Sequence, residues 1–279
     1  MAYPNKVYLN GNIVDAEEAK ISVFDRGFIF GDGLYEVMVQ INGSFFYEKE
    51  HLERLQYGLQ AINIDFNAAF LKKEIPKLLH AAQLTAIDCM LYIQITRGVA
   101  PRQHSFPQQC QPTVMMYAIP KVLPVINEIN AKVITRKDFR WSRCDIKMTS
   151  LLGNVMLNEE AMQHECYETI LHRNGVYTEA SHSNVFFVKE GMVYTHKANE
   201  HILNGITRIV VIELCNSLGI PFKEEAIAVE EIEHIDEAFL TGTSTQIASI
   251  QQIDDKLLYS ENEKGPITKK LQEAFLKLK

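Results

Sequence analysis

Trp141-Ser142-Arg143-Cys144-Asp145-Ile146-Lys147-Met148-Thr149-Ser150-Leu151-Leu152-Gly153-Asn154-Val155 is the stretch on which the rest of the chain turns. Beyond Lys147 the residues Leu151, Leu152, Val155 and Met156 recur at one-, three- and four-residue spacing, a helical pattern. Lys147 therefore closes an extended segment just before a helix. A lysine amine forms a Schiff base with a carbonyl only when unprotonated, so a lysine with that task needs desolvation or nearby positive charge. Arg140 and Arg143 stand close enough in sequence to supply the charge. A lysine taken alone is ordinarily a solvated surface group, so the other segments must carry the case.

The 279 residues suffice for one large domain or two modest ones. With 47% hydrophobic and 23% charged residues, the composition is that of an ordinary globular protein. A net charge of -7, with no basic run of useful length, argues against a nucleic-acid partner. The five cysteines are scattered, without Cys-x-x-Cys spacing, and read as reduced thiols of a cytoplasmic protein. The N-terminal residues lack a signal-peptide pattern, and no apolar run is long enough to cross a bilayer.

Turn signals organise the first third. Asn10-Gly11 and Asn42-Gly43 each separate strand-like runs and predict hairpins. Between them, Asp25 to Val37 holds Gly27, Gly31 and Gly33, and reads as a tight turn presenting Tyr35 and Glu36. Helices are expected from about Glu48 to Ile62 and from Asn67 to Gln83, then strands at Cys89 to Thr96 and Thr113 to Ile119. Pro120 to Asn130 is the expected linker, dividing the chain into 1–120 and 121–279. The second part opens with a strand (Ala131 to Thr135), and a helix to about Gln163 follows the Lys147 stretch. It continues with hairpins around Asn174-Gly175 and Glu190-Gly191, a helix from Gly205 to Leu218 stopped by Gly219, and a last helix starting at Pro266. Hairpins mixed with helices make the fold α+β in two domains, not a series of βαβ units.

Several residues are candidates for chemistry. Gly205-Ile206-Thr207-Arg208 opens a helix, whose free N–H groups and dipole suit an anion, and Thr207 adds a hydroxyl. Thr241-Gly242-Thr243-Ser244-Thr245 offers a second cluster of hydroxyls. Arg54 could grip a phosphate bidentately. Glu179 could pair with a pyridine nitrogen. Arg102 and His104, two apart in a proline-bounded loop, could share a carboxylate if that loop is extended. Each of these residue types is also commonplace on a protein surface. The remaining histidines lack ligand spacing, so no metal is expected, and no Gly-x-Ser-x-Gly elbow suggests a hydrolase.

Six stretches, in order, resemble the class IV (fold-type IV) pyridoxal-phosphate aminotransferases. They are Asp25–Val37, Glu50–Leu55, Thr96–Pro107, Arg140–Lys147, Thr178–Phe186 and Gly205–Arg208, and they span nearly the whole chain. The resemblance implies a small N-terminal α/β domain and a larger C-terminal domain with a mixed, barrel-like sheet carrying the lysine. It implies pyridoxal 5'-phosphate as cofactor, held covalently by Lys147, which also shuttles the substrate α-proton. Arg54, Ile206, Thr207 and Thr243 would take the phosphate, Glu179 the ring nitrogen, and Arg140 the neighbourhood of the phenolic oxygen. Tyr35, Arg102 and His104 resemble a trap for the substrate carboxylate, the latter two supplied by the neighbouring subunit of a homodimer.

That trap points to ping-pong transamination between a D-amino acid, such as D-alanine, and a 2-oxo acid, such as 2-oxoglutarate. The alternatives are branched-chain L-amino-acid transamination, aminodeoxychorismate lyase chemistry, and a catalytically silent binding module. Two positions depart from the pattern: His182 and Met148 stand where relatives generally carry serine. A bulky imidazole there is expected to narrow the pocket or change its polarity.

Overall fold

A computed structural model describes residues 3–260 and 263–279. The first unit begins with the hairpin β1 (Lys6–Leu9) and β2 (Asn12–Asp15), turned by Asn10 and Gly11, both at positive φ. A short helix α1 (Arg26–Phe30) leads into β3 (Gly33–Ile41) and β4 (Ser44–Phe45). Then come α2 (Glu48–Ala61), α3 (Leu71–Ala81), β5 (Cys89–Thr96) and β6 (Thr113–Pro120). The stretch expected as a turn thus contains a helix, capped by the Asp25 carboxylate accepting from Gly27 N–H at 2.8 Å. The second expected helix divides into a one-turn 3-10 segment at Ala68–Phe70 and α3.

The six strands pair antiparallel in the order β2-β1-β6-β5-β3-β4. Strand alternation sends Leu34, Met38, Leu91, Ile93, Ile95 and Met116 to one face. There they form a dry core with Leu52, Leu55 and Leu59 of α2 and Leu71, Ile75 and Leu78 of α3. Each such side chain contributes about 1.5–3 kcal/mol by leaving water.

The compact units are not two consecutive stretches. One comprises the chain up to Val122 together with Ile146–Ser150; the other comprises Leu123–Asp145 and Leu151–Lys279. Lys147 thus falls within the first of these units. Tyr35 N–H donates to Lys147 O at 3.0 Å, Thr149 N–H to Gly33 O at 3.0 Å, and Met148 bridges Leu34. This lysine strand therefore borders β3, with Ile146 in the first core.

The second unit contains β7 (Asn130–Lys137), α4 (Leu152–Gln163), β8 (Glu168–Arg173), β9 (Val176–Ala180), β10 (Asn184–Lys189) and β11 (Met192–Thr195). It continues with α5 (Ile206–Leu218), β12 (Phe222–Glu224), β13 (Glu237–Gly242), β14 (Gln246–Ile253), β15 (Lys256–Leu257) and α6 (Pro266–Leu276). The sheet order is β12-β11-β10-β13-β14-β7-β8-β9, with mixed directions: β14-β7, β7-β8 and β11-β12 are parallel. Strands β9 and β10 lie far apart in that order, yet a three-residue turn joins them and Ala180 N–H donates to Ser183 O at 2.7 Å. The sheet must curl to allow this, which makes its core barrel-like. Ala131, Val133, Ile170, Val185, Leu240 and Ile250 belong to that core. The Thr-rich stretch 241–245 links a long hairpin, β13–β14.

The Glu237 carboxylate caps α6, accepting from the N–H groups of Ile267 at 3.0 Å and Thr268 at 2.8 Å. Among the described residues, no helix is long and apolar enough to cross a membrane.

Gly98 has φ +100°, and a Cβ there would lie 1.9 Å from the backbone oxygen of Gln111. Because backbone cannot yield as a side-chain tip does, Gly98→Ala is expected to lower stability by about 3 kcal/mol. A urea-unfolding midpoint unchanged from that of the parent protein would contradict this.

Candidate active-site residues in each unit

In the first unit, strand alternation separates two neighbours that the sequence presents together. Glu36 points toward α2 and is fully buried, while Tyr35 points to the opposite face. The Glu36 carboxylate accepts from Arg54 Nε at 3.0 Å and Nη2 at 2.7 Å, and His51 Nδ1 lies 3.0 Å from it. Burial alone would raise the Glu36 pKa, but Arg54 and His51 outweigh it and hold the carboxyl well below the usual range. Burial pushes the His51 pKa down. Arg54 is thus oriented by a buried, ionised acid, with a bidentate geometry that fixes its guanidinium plane.

On the other face, Lys147 Nζ donates to Tyr35 Oη at 3.2 Å and stands 4.2 Å from the centre of that ring. Among the described residues the ammonium group forms no ion pair. The Tyr35 ring stacks on Tyr92 at 5.7 Å, and Tyr92 on Tyr117 at 5.1 Å, so the lysine faces a ladder of three rings.

Arg102 and His104 are exposed, and both sit against Phe30: the guanidinium carbon is 5.3 Å from its ring centre, and the imidazole 5.7 Å. Their loop is pinned by Arg26 Nη1, which donates to Gln103 O at 2.6 Å, and by Arg97 lying 3.6 Å over Phe106. Neither residue makes a hydrogen bond or ring contact with Tyr35.

In the second unit, β9 places Glu179 in the interior, only 5% exposed. It accepts from Arg140 Nη1 at 2.9 Å, Asn184 Nδ2 at 3.2 Å and Leu203 N–H at 2.9 Å. Burial dominates these favourable contacts and pushes its pKa up to about 7. Arg140 is itself gripped by Asp138, at 3.0 Å from Nε and 3.1 Å from Nη2. Burial would lower the Arg140 pKa, but Glu179 and Asp138 outweigh it and raise it. Arg143 pairs with Asp145 at 2.8 Å. Both arginines expected to offer charge to Lys147 are therefore already engaged by carboxylates.

Helix α5 starts without a side-chain cap. A Cβ at Gly205 would fall 2.1 Å from Asn184 Oδ1, so that position accepts no side chain and the first N–H groups stay uncovered. Ile206 and Thr207 follow directly, both buried. Thr243 lies in the turn between β13 and β14.

These donor sets fit pyridoxal 5'-phosphate. An uncapped helix start suits a phosphate. A buried acid whose charged form is disfavoured suits a protonated ring nitrogen, and a lysine without a carboxylate partner suits an aldehyde. The sequence alone does not single out Glu36, His51, Asp138 and Asn184 as the groups that orient these residues. His51, three residues before Arg54 on a helix, is the one local signal.

The profile of the family described as Amino-transferase class IV matches residues 33–253. A curated D-alanine aminotransferase of Staphylococcus aureus (strain N315) is 39% identical over 277 residues, 98% of this chain and 97% of that protein. Among solved structures, a branched-chain aminotransferase from Thermoproteus uzoniensis with norvaline is 29% identical, with a TM-score of 0.86, covering 98% of this chain and 93% of that one. A branched-chain amino acid aminotransferase of T.th., complexed with N-(5'-phosphopyridoxyl)-L-glutamate, shares the fold at 23% identity, with a TM-score of 0.87, covering 99% and 94% of the two chains.

Glu179 ionises near 4.5 when unfolded and about 7 when folded, so folding takes up a proton between those values. Its contribution to stability is fully present below pH 4.5 and is lost as the pH rises through about 7. In cofactor-free protein, Glu179→Gln is expected to leave stability nearly unchanged near pH 4.5 and to raise it by roughly 3 kcal/mol near pH 8. Urea unfolding at the two pH values measures this, and a variant destabilised at the higher pH would refute it.

Proposed function

The chain belongs to the class IV aminotransferases, and on that premise we propose that it transfers an amino group between a D-amino acid, such as D-alanine, and a 2-oxo acid, such as 2-oxoglutarate. The observation that carries this reading is the likeness to D-alanine aminotransferases over 98% of the chain. The cofactor is pyridoxal 5'-phosphate, which the donor sets fit and of which one structural relative holds a phosphopyridoxyl derivative. When bound, it supplies an aldehyde carbon for the amino group and a ring that takes up the electron pair left at the substrate α-carbon.

Lys147 would hold the cofactor through its amine, and the same amine would carry the substrate α-proton away and back. Tyr35, hydrogen-bonded to that amine, restricts where the proton can be taken. Glu179 would pair with the ring nitrogen and hold it protonated, the positive ring offsetting the cost of ionising a buried carboxyl. Arg140, fixed by Asp138, serves the phenolic oxygen. Arg54, the start of α5 at Ile206 and Thr207, and Thr243 hold the phosphate.

Tyr35, Arg102 and His104 bind the substrate carboxylate, with Arg102 and His104 serving the site of a second copy. The absence of any hydrogen bond or ring contact between Tyr35 and that pair within one chain supports this division. Exposed Phe24, Phe28, Val99 and Phe106 around the same loop give a homodimer apolar surface to bury. The five cysteines are all free thiols, which suits a cytoplasmic setting.

The branched-chain reading has its own support in a solved relative at 29% identity. Assay of D-alanine against L-leucine, each with 2-oxoglutarate, is expected to show turnover of the D substrate; activity on the L substrate alone would overturn the choice. Borohydride reduction followed by peptide mapping is expected to label Lys147, and Lys147→Ala to lower turnover by at least about a thousandfold. Sedimentation is expected to give a dimer, and a fully active monomer would contradict the shared subsite.

A further inference from the structure

We propose that Gln94 is a specificity-determining residue whose carboxamide N–H groups receive the distal carboxylate of a dicarboxylic substrate, such as D-glutamate or 2-oxoglutarate. The inference rests on the functional reading above and deepens it to a substrate class.

The register of the first unit puts Gln94 in line with the reacting amine. Met148 bridges Leu34 in antiparallel pairing, so Lys147 stands opposite Tyr35. On the other side of β3, Tyr35 pairs with Gln94 of β5, and Gln94 with Met115 of β6. Lys147, Tyr35 and Gln94 thus form one row across three neighbouring strands, spaced about 4.8 Å apart. Their chain neighbours Ile146, Leu34, Ile93 and Ile95 belong to the core under α2 and α3, so alternation sends the whole row to the opposite face. Two strand spacings, roughly 10 Å, separate the outer backbones of the row. Two long side chains leaning together and a glutamate-sized substrate held at the Lys147 amine span that distance.

The carboxamide has a fixed orientation. Tyr92 Oη donates to Gln94 Oε1 at 2.8 Å. Burial, with Tyr117 and Tyr35 close by, raises the Tyr92 pKa, so this phenol keeps its proton and remains a donor. The Tyr92 ring is itself held by stacking on Tyr35 and Tyr117. With its oxygen engaged, the amide turns both N–H donors away from Tyr92, and among the described residues Nε2 has no hydrogen-bond partner. Gln94 is only half-buried, which leaves those donors within reach of a ligand. Among the described residues of β3, β5 and β6, this face carries no acidic side chain to repel a carboxylate. Oriented donors without a partner favour a ligand that brings an acceptor, and a carboxylate makes the stronger, charge-assisted bond. The methyl group of D-alanine leaves them unmatched.

The test follows the half-reaction of the holoenzyme through the change in cofactor absorbance and compares second-order rate constants for D-glutamate and D-alanine. Gln94→Met keeps the length of the side chain and removes its donors. It is expected to lower the D-glutamate to D-alanine ratio about tenfold, the worth of a hydrogen bond to a charged group. Tyr92→Phe keeps the ring stack but frees the amide to turn, and is expected to lower the same ratio about threefold. This second variant decides the matter even if Gln94→Met does not fold. In steady state, Gln94→Met is expected to raise KM for 2-oxoglutarate with little change in kcat, because a distal contact is made equally before and during reaction. A wild-type ratio retained in either variant, including an equal loss on both substrates, overturns the proposal. Wild-type enzyme that accepts D-alanine but not D-glutamate refutes this inference alone, whereas wild-type enzyme that accepts neither refutes the functional reading with it.

Discussion

The burial of Glu179 is the constraint on which the second unit depends. Taking a carboxylate out of water costs several kcal/mol unless partners offset it. Arg140, Asn184 and the Leu203 N–H converge on it for that reason. Each partner then imposes its own demand. Arg140 requires Asp138. Asn184, turned toward Glu179 and Leu203 O, leaves no room for a side chain at Gly205. The uncapped start of α5 follows from that exclusion, so the bare helix start and the buried acid are two results of one packing decision.

The first unit contains the opposite outcome. Glu36 is buried at least as completely as Glu179, yet its acidity increases where that of Glu179 falls. The difference lies in the company each keeps: Glu36 meets a bidentate arginine and a histidine, whereas Glu179 meets one arginine whose charge is shared with Asp138. One carboxylate is a permanent anion that orients Arg54. The other is pushed by burial to about 7, so its proton occupancy changes near neutral pH. Two acids of similar burial thus serve different ends because their neighbours differ.

Much of this was legible in the sequence. Asn-Gly and Glu-Gly turns, the stripe of leucines in α2, Gly219 as a helix stop and Pro266 as a helix start all depend on local chemistry, and the elements fall where those residues put them. Lys147, Glu179 and the start of α5 stand out as candidates by order and resemblance, and the roles given to them are proposals. What escaped was non-local. Helix α1 is only five residues long and depends on the Asp25 cap. The β13–β14 hairpin is buried on both faces and shows no clean alternation. The partners of Arg54, Arg140 and His182 come from strand pairings that no short window reveals, and the curl that joins β9 to β10 has no sequence signature.

The path of the chain through Ile146–Ser150 carries a consequence for biosynthesis. This segment completes the first unit by accepting the Tyr35 N–H and bridging Leu34, yet it is made after the first strand of the second unit, β7. As the polypeptide emerges from the ribosome, the N-terminal sheet and its two helices can assemble early, but one border of β3 stays unsatisfied until Ser150 has cleared the exit. The order of translation thus makes the strand that bears Lys147 the last piece of the first unit, and the two units cannot mature strictly one after the other.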